Sequence, residues 1–276
     1  MKLATVRTGQ GTRAARLDDG GYTLLDASDV GAMLARDGWA EAVASARGEA
    51  VRPEEAHLAP VVTQPGKVLC TGLNYRNHIL EMGRELPEYP TLFAKFADAL
   101  IGPRDTIALA PESSAIDWEA ELTVVIGRTV RRATEAQAEA AIAGFTIMND
   151  VTMRDWQFRT KDWLQGKTFE GTTPLGPVLV TPDELPGGVR PALALSCRVN
   201  GEVVQKADTS DLVFDPVDLV RYASTVVTLR PGDIIATGTP GGVGHARKPP
   251  RYLGDGDVVT TEIEGIGRLE NTARPA

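Results

Sequence analysis

The chain has 276 residues, of which 42% are hydrophobic and 24% charged, a balance typical of globular proteins that argues against disorder. Its net charge of −8 disfavours nucleic acid and anionic membranes, so we expect neither as a partner. No stretch approaches the roughly 20 apolar residues that span a bilayer, and the N-terminus lacks a signal-peptide core, so we expect a cytoplasmic protein.

Residues 1–60 are expected to form a small N-terminal α/β domain. Strands are predicted for Lys2–Arg7, Thr12–Leu17 and Tyr22–Leu25. A helix is predicted for Val30–Ala46, where apolar side chains recur at helical spacing. The polar, proline-containing stretch Arg52–Gly66 is interpreted as a linker.

Residues 67–276 are expected to form a second, strand-rich domain. The predicted strands are Lys67–Thr71, Trp118–Ile126, Phe145–Met148, Leu193–Val199, Glu202–Lys206, Ile234–Thr237 and, as the last, Val258–Ile263. The Asn200-Gly201 pair predicts a hairpin. Helices are predicted for Ala133–Ala143, for Asp215–Ser224 with Asp215 as N-cap, and, as a short segment, for Tyr75–Met82.

The strand Trp118–Ile126 places two carboxylates side by side. Because strand side chains alternate between faces, Glu119 and Glu121 share one face, and the apolar residues share the other. Two carboxylates this close repel each other unless a positive charge lies between them. A solvated face with basic neighbours and a shared divalent cation are the two alternatives.

Asp150 follows a predicted strand and is a candidate third ligand, although a simple Asx turn would also explain it. The three histidines show no zinc-motif spacing. A site with only oxygen ligands suggests Mg²⁺, Mn²⁺ or Ca²⁺.

Three further features could carry chemistry. If Tyr75–Met82 is helical, His78 and Glu81 share one face, where a carboxylate would make the imidazole a better base. Lys167 lies in a loop-like context and could neutralise an enolate. The glycine-rich loop 236–244 could bind an anion through its backbone. Each feature also has a purely structural alternative. His78 and Glu81 could be a surface pair, Lys167 could be an ordinary solvated lysine, and the glycines could serve only the shape of the loop.

The motifs taken together resemble the fumarylacetoacetate hydrolase family over about Lys67 to Asn271. They are Gly72-Leu73-Asn74-Tyr75 with His78 and Glu81, Glu119-Ala120-Glu121-Leu122, Asn149-Asp150-Val151, Arg154-Asp155-Trp156-Gln157, Gly166-Lys167-Thr168-Phe169, Pro174-Leu175-Gly176-Pro177 and Thr237-Gly238-Thr239-Pro240. The sequence departs from the usual pattern at Phe96, Trp118 and Thr172-Thr173, which leaves the shape of the substrate pocket open.

The resemblance implies a mixed α+β, β-rich fold whose core is a rolled β-sandwich or barrel. It also implies a homodimer that binds Mg²⁺ or Mn²⁺. The implied metal ligands are Glu119, Glu121 and Asp150; the implied catalytic residues are His78, Glu81 and Lys167; the implied substrate-binding residues are Arg154, Gln157 and Thr239.

The activity that this site implies is hydrolysis of the C–C bond of a β-diketo acid such as an acylpyruvate. His78, oriented by Glu81, would take a proton from water, and Lys167 would help to hold the leaving enolate. Oxaloacetate decarboxylation and tautomerisation of a 2-hydroxymuconate-type diacid are alternatives that use the same enolate. The presence of His78 and Glu81 favours hydrolysis, and retention of all these residue types argues against a catalytically silent binding protein.

Overall fold

Strands make up most of the secondary structure of the protein, which is described here by a computed structural model covering residues 1–81 and 83–276. The strands are β1 (Lys2–Thr8), β2 (Gly11–Asp18), β3 (Gly21–Leu24), β4 (Ala50–Val51), β5 (Val68–Gly72), β6 (Thr91–Lys95), β7 (Leu100–Ile101), β8 (Ile107–Leu109), β9 (Ile116–Asp117), β10 (Ala120–Ile126), β11 (Ile142–Asn149), β12 (Thr152–Met153), β13 (Thr173–Val180), β14 (Ala194–Val199), β15 (Glu202–Asp208), β16 (Ile234–Ala236), β17 (Val258–Ile263) and β18 (Gly267–Pro275). The helices are α1 (Val30–Leu34), α2 (Trp39–Ser45), α3 (Arg76–Glu81), α4 (Glu135–Ala141), α5 (Arg154–Gln157), α6 (Leu164–Lys167) and α7 (Pro216–Val226).

Two large sheets form the core of the molecule. One has 11 strands in the order β4-β3-β2-β1-β13-β11-β10-β16-β5-β6, with β7 paired to β13. The other has five strands in the order β15-β14-β17-β18-β8. Apolar residues of β10, such as Leu122, and of β14, such as Leu195, belong to one buried cluster, so the sheets pack against each other. The predicted mixed, β-rich fold class is confirmed.

Strand β10 is buried on both faces, and this positions the candidate site. Leu122 and Val124 pack into the cluster between the sheets, whereas Val125 belongs to a second cluster on the opposite face. The predicted alternation is therefore confirmed, although the strand begins at Ala120, so Glu119 directly precedes it. The second face is not solvated, since Glu121 is only 1% exposed.

The single helix predicted for Val30–Ala46 is wrong. The segment forms the two short helices α1 and α2. Gly38, which directly precedes α2, has a φ of 67°, in the left-handed region. A helix cannot continue through a residue in that conformation, so the apolar spacing alone did not reveal the break.

The prediction that Val258–Ile263 is the last strand is also wrong, because β18 follows it and pairs with both β17 and β8. In β18 the buried positions include Asn271, whose side chain donates to the carbonyl oxygens of Gly102 and Asp105. A polar residue at a buried position hides the apolar alternation that identifies a strand.

Several other predicted elements are confirmed. Strands β14 and β15 flank Asn200-Gly201 as a hairpin. Helix α7 begins at Pro216 after Asp215, whose carboxylate accepts from the backbone N–H groups of Val217 and Asp218. The short helix predicted for Tyr75–Met82 is present as α3, and Met82 lies outside the described residues. None of the described helices is long and apolar enough to cross a membrane.

The N-terminal strands continue the larger sheet, because β1 pairs with β13 through the registers Lys2↔Val180 and Leu3↔Leu179. Residues before and after the interpreted linker therefore share one set of backbone hydrogen bonds. The division into units at residues 60–67 stays a prediction.

Candidate active site

Three carboxylates meet where β10 and β11 run side by side. The antiparallel register pairs Ala120 with Asn149. The residue before Ala120, Glu119, is therefore adjacent to the residue after Asn149, Asp150. The backbone N–H of Asp150 donates to the carbonyl oxygen of Glu119 at 2.8 Å. Carboxylate oxygens of Glu119, Glu121 and Asp150 all lie within 4.8 Å of one another, and all three residues are buried. The predicted convergence of these three side chains is thus observed.

Two buried lysines contact this acidic triad. The Lys167 ammonium lies 2.7 Å from Glu119 Oε2 and 2.8 Å from Asp150 Oδ2. Lys95, at the end of β6, lies 2.6 Å from Asp150 Oδ1 and also donates to the carbonyl oxygen of Val151. Lys167 is therefore a buried ion-pair partner rather than a solvated side chain. The role of Lys95 was not predicted. The one feature of the sequence that could have indicated it is that this lysine ends the short strand TLFAK.

Arg154 links the triad to a further buried acid. Its Nε donates to Asp117 Oδ2 at 2.8 Å, and its Nη2 lies 2.7 Å from Glu119 Oε1. Its Nη1 donates to Gln157 Oε1 at 2.9 Å, so two predicted substrate-binding residues hold each other. Asp117 also accepts from the backbone N–H groups of Gly244 and His245, a role that the sequence analysis missed.

Glu121 differs from the other two acids because no Lys or Arg pairs with it in the described part of the chain. Its Oε2 accepts from the backbone N–H of Gly238 at 2.8 Å. Burial raises the pKa of Glu121 well above its usual value, and the charges of Asp150 and Glu119 raise it further. Burial also acts to raise the pKa of Asp150, but Lys167 and Lys95 outweigh it and lower that pKa.

This arrangement fits a divalent cation. The triad offers only oxygen donors, and a cation between the three carboxylates would neutralise the charge that Glu121 carries once it loses its proton. Without such a cation Glu121 remains protonated at a higher pH than an exposed glutamate. The residues present could therefore hold a metal ion.

The loop after β16 connects the triad with His78. At one end Gly238 donates to Glu121, and at the other end a Cβ on Gly241 would lie 3.0 Å from His78 Nδ1. Between them Thr239 donates to the carbonyl oxygen of Ala120 and accepts from Gln205 Nε2. Thr239 is thus fixed beside the triad. Gln205 was not singled out from the sequence, because its buried position on β15 became visible only in the fold.

His78 and Glu81 line the same cleft, about 460 Å³ in volume, which also includes Tyr75, Lys206 and Pro240. Among the described residues there is no hydrogen bond or ion pair between His78 and Glu81, so their action as a dyad stays a prediction. Burial lowers the pKa of His78, and the charges of Glu81 and Glu119 offset this only in part. The imidazole is therefore largely neutral near pH 7.

Residues 67–274, which contain all of these site residues, match the family described as fumarylacetoacetate (FAA) hydrolase C-terminal. The chain belongs to the fumarylacetoacetate hydrolase family. It is 48% identical over 221 residues to the mitochondrial oxaloacetate tautomerase Fahd2a of Rattus norvegicus, with 80% of this chain and 70% of the relative covered. The Homo sapiens oxaloacetate tautomerase FAHD2A is 48% identical over 222 residues, again with 80% and 70% covered.

Solved structures of this family show the same fold. A fumarylacetoacetate hydrolase from Exiguobacterium antarcticum matches with a TM-score of 0.87 and 32% identity over 100% of both chains. A 5-carboxymethyl-2-hydroxymuconate delta-isomerase from Mycobacterium smegmatis matches with a TM-score of 0.82 and 32% identity, covering 100% of this chain and 99% of the other. The protein is therefore an enzyme of the fumarylacetoacetate hydrolase family with an acidic triad that could bind a metal.

Proposed function

We propose that this protein is a divalent-metal-dependent tautomerase that interconverts the enol and keto forms of oxaloacetate or a similar 2-oxo dicarboxylic acid. The observation that carries the proposal is the buried triad, in which Glu121 lacks a cationic partner among the described residues. The relatives named as oxaloacetate tautomerases support the choice among the activities open to this site. The alternatives expected from the sequence were the related reactions, oxaloacetate decarboxylation and tautomerisation of a 2-hydroxymuconate-type diacid.

We propose Mg²⁺ or Mn²⁺ as the metal, since both prefer oxygen ligands in octahedral geometry, and Ca²⁺ could occupy the same oxygens. Glu119, Glu121 and Asp150 would hold the ion. When bound, it would supply Lewis-acid polarisation of the oxygen on C2 of the substrate.

Lys167 supplies a fixed positive charge beside the reacting atoms. Burial acts to lower its pKa, but Asp150 and Glu119 outweigh burial and raise it, so the ammonium stays charged over the working pH range. A preorganised cation in a buried site stabilises the negative charge that develops on the enolate oxygen. We propose Arg154, Gln157 and Thr239 as the groups that bind the substrate carboxylate.

His78 is the proton carrier in this proposal. The neutral imidazole takes the proton of the enol hydroxyl group, and the O–H electron pair stays on the oxygen, which becomes the enolate oxygen. The C2=C3 electron pair then takes a proton from the imidazolium to form the new C3–H bond, while an oxygen electron pair forms the second bond of the C2 carbonyl. The depressed pKa of His78 keeps the base available near neutral pH, and Glu81 is proposed to orient it.

The decay of the enol of oxaloacetate, followed by its ultraviolet absorbance, tests this function. We expect the protein with Mg²⁺ or Mn²⁺ to accelerate the decay over buffer, and EDTA to remove the acceleration. A protein that leaves the rate unchanged with either metal would contradict the proposal.

A C–C bond hydrolase is the second candidate, because His78 and Glu81 line one cleft and the fold matches a fumarylacetoacetate hydrolase at 32% identity. Turnover of acetylpyruvate and fumarylpyruvate, measured beside oxaloacetate with and without EDTA, separates the candidates, and carbon dioxide release from oxaloacetate reports a decarboxylase. Absence of turnover with all three would favour a metabolite-binding protein.

We also propose that the protein is a homodimer in the cytoplasm and that it binds neither nucleic acid nor membranes, as its acidic charge and family resemblance imply. Light scattering coupled to size-exclusion chromatography should give twice the chain mass of 29.5 kDa. A mass of one chain at micromolar concentration would contradict the dimer.

A further inference from the structure

The end of β5 and the segment that joins it to α3 contain two buried hydroxyl groups that the mechanism above does not use. Thr71 Oγ1 and Tyr75 OH have no hydrogen-bond partner within residues 1–81 and 83–276. Tyr75 is only 1% exposed. A buried hydroxyl without a partner costs free energy on folding, and groups of this kind require an explanation such as a bound ligand.

The backbone that carries Tyr75 is held firmly. The Asn74 side chain donates to the carbonyl oxygens of Phe214 and Thr237 and accepts from the backbone N–H of Phe214. Leu73 has a φ of 54°, in the left-handed region that a bulky residue rarely adopts. Strained and multiply anchored backbone of this kind concentrates at binding sites. The backbone next to Tyr75 is therefore held in place.

Tyr75 lines the cleft together with His78 and Gly241. The preceding residue, Asn74, is close to Gly238, whose N–H group donates to Glu121: a Cβ on Gly238 would lie 3.0 Å from Asn74 Cβ. Burial raises the pKa of Tyr75, and the charges of Glu121, Asp211 and Asp208 raise it further, so the hydroxyl keeps its proton. Tyr75 is thus a neutral donor with no acceptor among the described residues, in the wall of the cleft that also contains His78.

We propose that the Tyr75 hydroxyl donates a hydrogen bond to a carboxylate or enolate oxygen of the bound substrate and so positions it between the triad and His78. The inference rests on the proposed function, because it takes the ligand to be an anionic 2-oxo acid. An oxygen anion is the matching ligand: the unpaired group is a donor, and the nearby carboxylates would repel an anion that had no donor to meet it.

The test is Tyr75→Phe in the Mn²⁺-saturated protein, with Tyr222→Phe as the matched control. Tyr222 lies on α7, and the centroid of its ring is 6.4 Å from that of Tyr89. We expect Tyr75→Phe to lower kcat/KM for the enol of oxaloacetate roughly tenfold to a hundredfold, mainly through KM, as for loss of a hydrogen bond to a charged group. We expect its unfolding temperature without substrate to equal or exceed that of the wild type, because the lost hydroxyl has no protein partner.

Kinetic constants within twofold of the wild type would overturn the inference and leave the tautomerase activity standing. A lower unfolding temperature with unchanged kinetics would also overturn it, because the hydroxyl would then serve the fold through a buried water molecule.

A second readout separates this inference from the proposed function. Malonate, a dicarboxylate that lacks the 2-oxo group, is titrated into both Mn²⁺-loaded proteins by calorimetry. If the wild type binds malonate but does not turn over oxaloacetate, the proposed function fails. The malonate affinities of the two proteins then still test the inference about the Tyr75 hydroxyl. Weaker binding by Tyr75→Phe supports the inference, and equal binding refutes it. If the wild type does neither, both fail.

Discussion

At the scale of single residues, the unpaired charge of Glu121 sets a pH dependence. The metal-free protein holds a proton on Glu121 between the ordinary pKa of 4.5 and the raised pKa in the fold, whereas the unfolded chain has lost it. The free energy of unfolding therefore falls as the pH rises through this window. In Glu121→Gln this fall should be absent, while the amide oxygen can still accept from Gly238.

The measurement is chemical unfolding of the EDTA-treated wild type and of Glu121→Gln from pH 4.5 upward. The difference between the two proteins isolates Glu121, since groups such as His78 titrate in both. We expect Glu121→Gln to become the more stable protein as the pH rises. A difference that does not change with pH would contradict an uncompensated charge at this position.

Lys167 is expected to serve both the fold and the reaction. Lys167→Met leaves Glu119 and Asp150 without their shared ammonium, which should cost roughly 3–5 kcal/mol of stability in the metal-free protein. It should also lower kcat by about 10²–10³, as for loss of one preorganised electrostatic group. Thermal unfolding and steady-state kinetics measure the two effects, with the exposed Lys161→Met as control. Full activity in Lys167→Met would show that the ammonium does not act on the enolate.

The site residues predicted from the sequence are those that a pattern within one short segment identifies. Alternation along β10 was sufficient to place Glu119 and Glu121 on one face, and family motifs supplied Asp150 and Lys167. Lys95, Asp117 and Gln205 contact the site from other elements. Their roles depend on pairing between distant strands, which no local pattern in one sequence specifies.

At the scale of elements, the loop after β16 is expected to tolerate no side chain at Gly238. Its φ is +101°, and a Cβ would lie 3.0 Å from both Asn74 Cβ and the carbonyl oxygen of Thr71. Gly238→Ala should therefore cost at least about 1 kcal/mol of stability. It should also weaken metal binding by displacing the N–H donor to Glu121.

Gly9→Ala is the control for this variant, because a Cβ there would have no heavy atom within 4 Å. Denaturant unfolding and Mn²⁺ titration of both variants give the comparison. Equal stability and equal Mn²⁺ affinity would mean that the loop does not hold Glu121 in place.

On helix α3, His78 is expected to act in the reaction without supporting the core, to which the helix contributes Ile79. His78→Ala should leave the unfolding temperature nearly unchanged and lower kcat by about 10²–10⁴, the usual contribution of a general base. In the wild type the acid limb of kcat/KM should lie below pH 6.5, since burial lowers the pKa of His78. The exposed His57→Ala should retain both rate and pH profile. A retained acid limb in His78→Ala would assign the proton transfer to another group.

Elements whose local sequence features all agree were predicted correctly. Elements whose sequence combines features of a strand with features of a turn were not. Helix α7 has both an N-cap aspartate and a proline at its first position, and it begins where they indicated. Strand β13 went unnoticed because Pro174, Gly176 and Pro177 interrupt its apolar run. Glycine and proline normally mark the ends of strands. When they occur inside a strand, the sequence therefore predicts a turn or loop instead.

At the scale of the whole molecule, the family resemblance implied the fold class, but no pattern in the sequence indicated the order of the strands. The 11-stranded sheet joins β1 to β13 and β5 to β16, pairs whose members lie more than 150 residues apart in the chain. Pairing at that separation is decided by the packing of both sheets together, and alternation within one strand carries no information about its partner.

The account depends on Glu119, Glu121 and Asp150 binding one divalent ion, and calorimetric titration of Mn²⁺ into the EDTA-treated, dialysed protein tests this most directly. We predict one ion bound per chain in the wild type. We predict a fall in affinity of at least about tenfold in Asp150→Asn and in Glu121→Gln, as expected when a charged metal ligand becomes neutral. Asp257→Asn, a change at a surface turn, should bind as the wild type does. Absence of Mn²⁺ binding by the wild type, or equal affinity in all four proteins, would contradict the account.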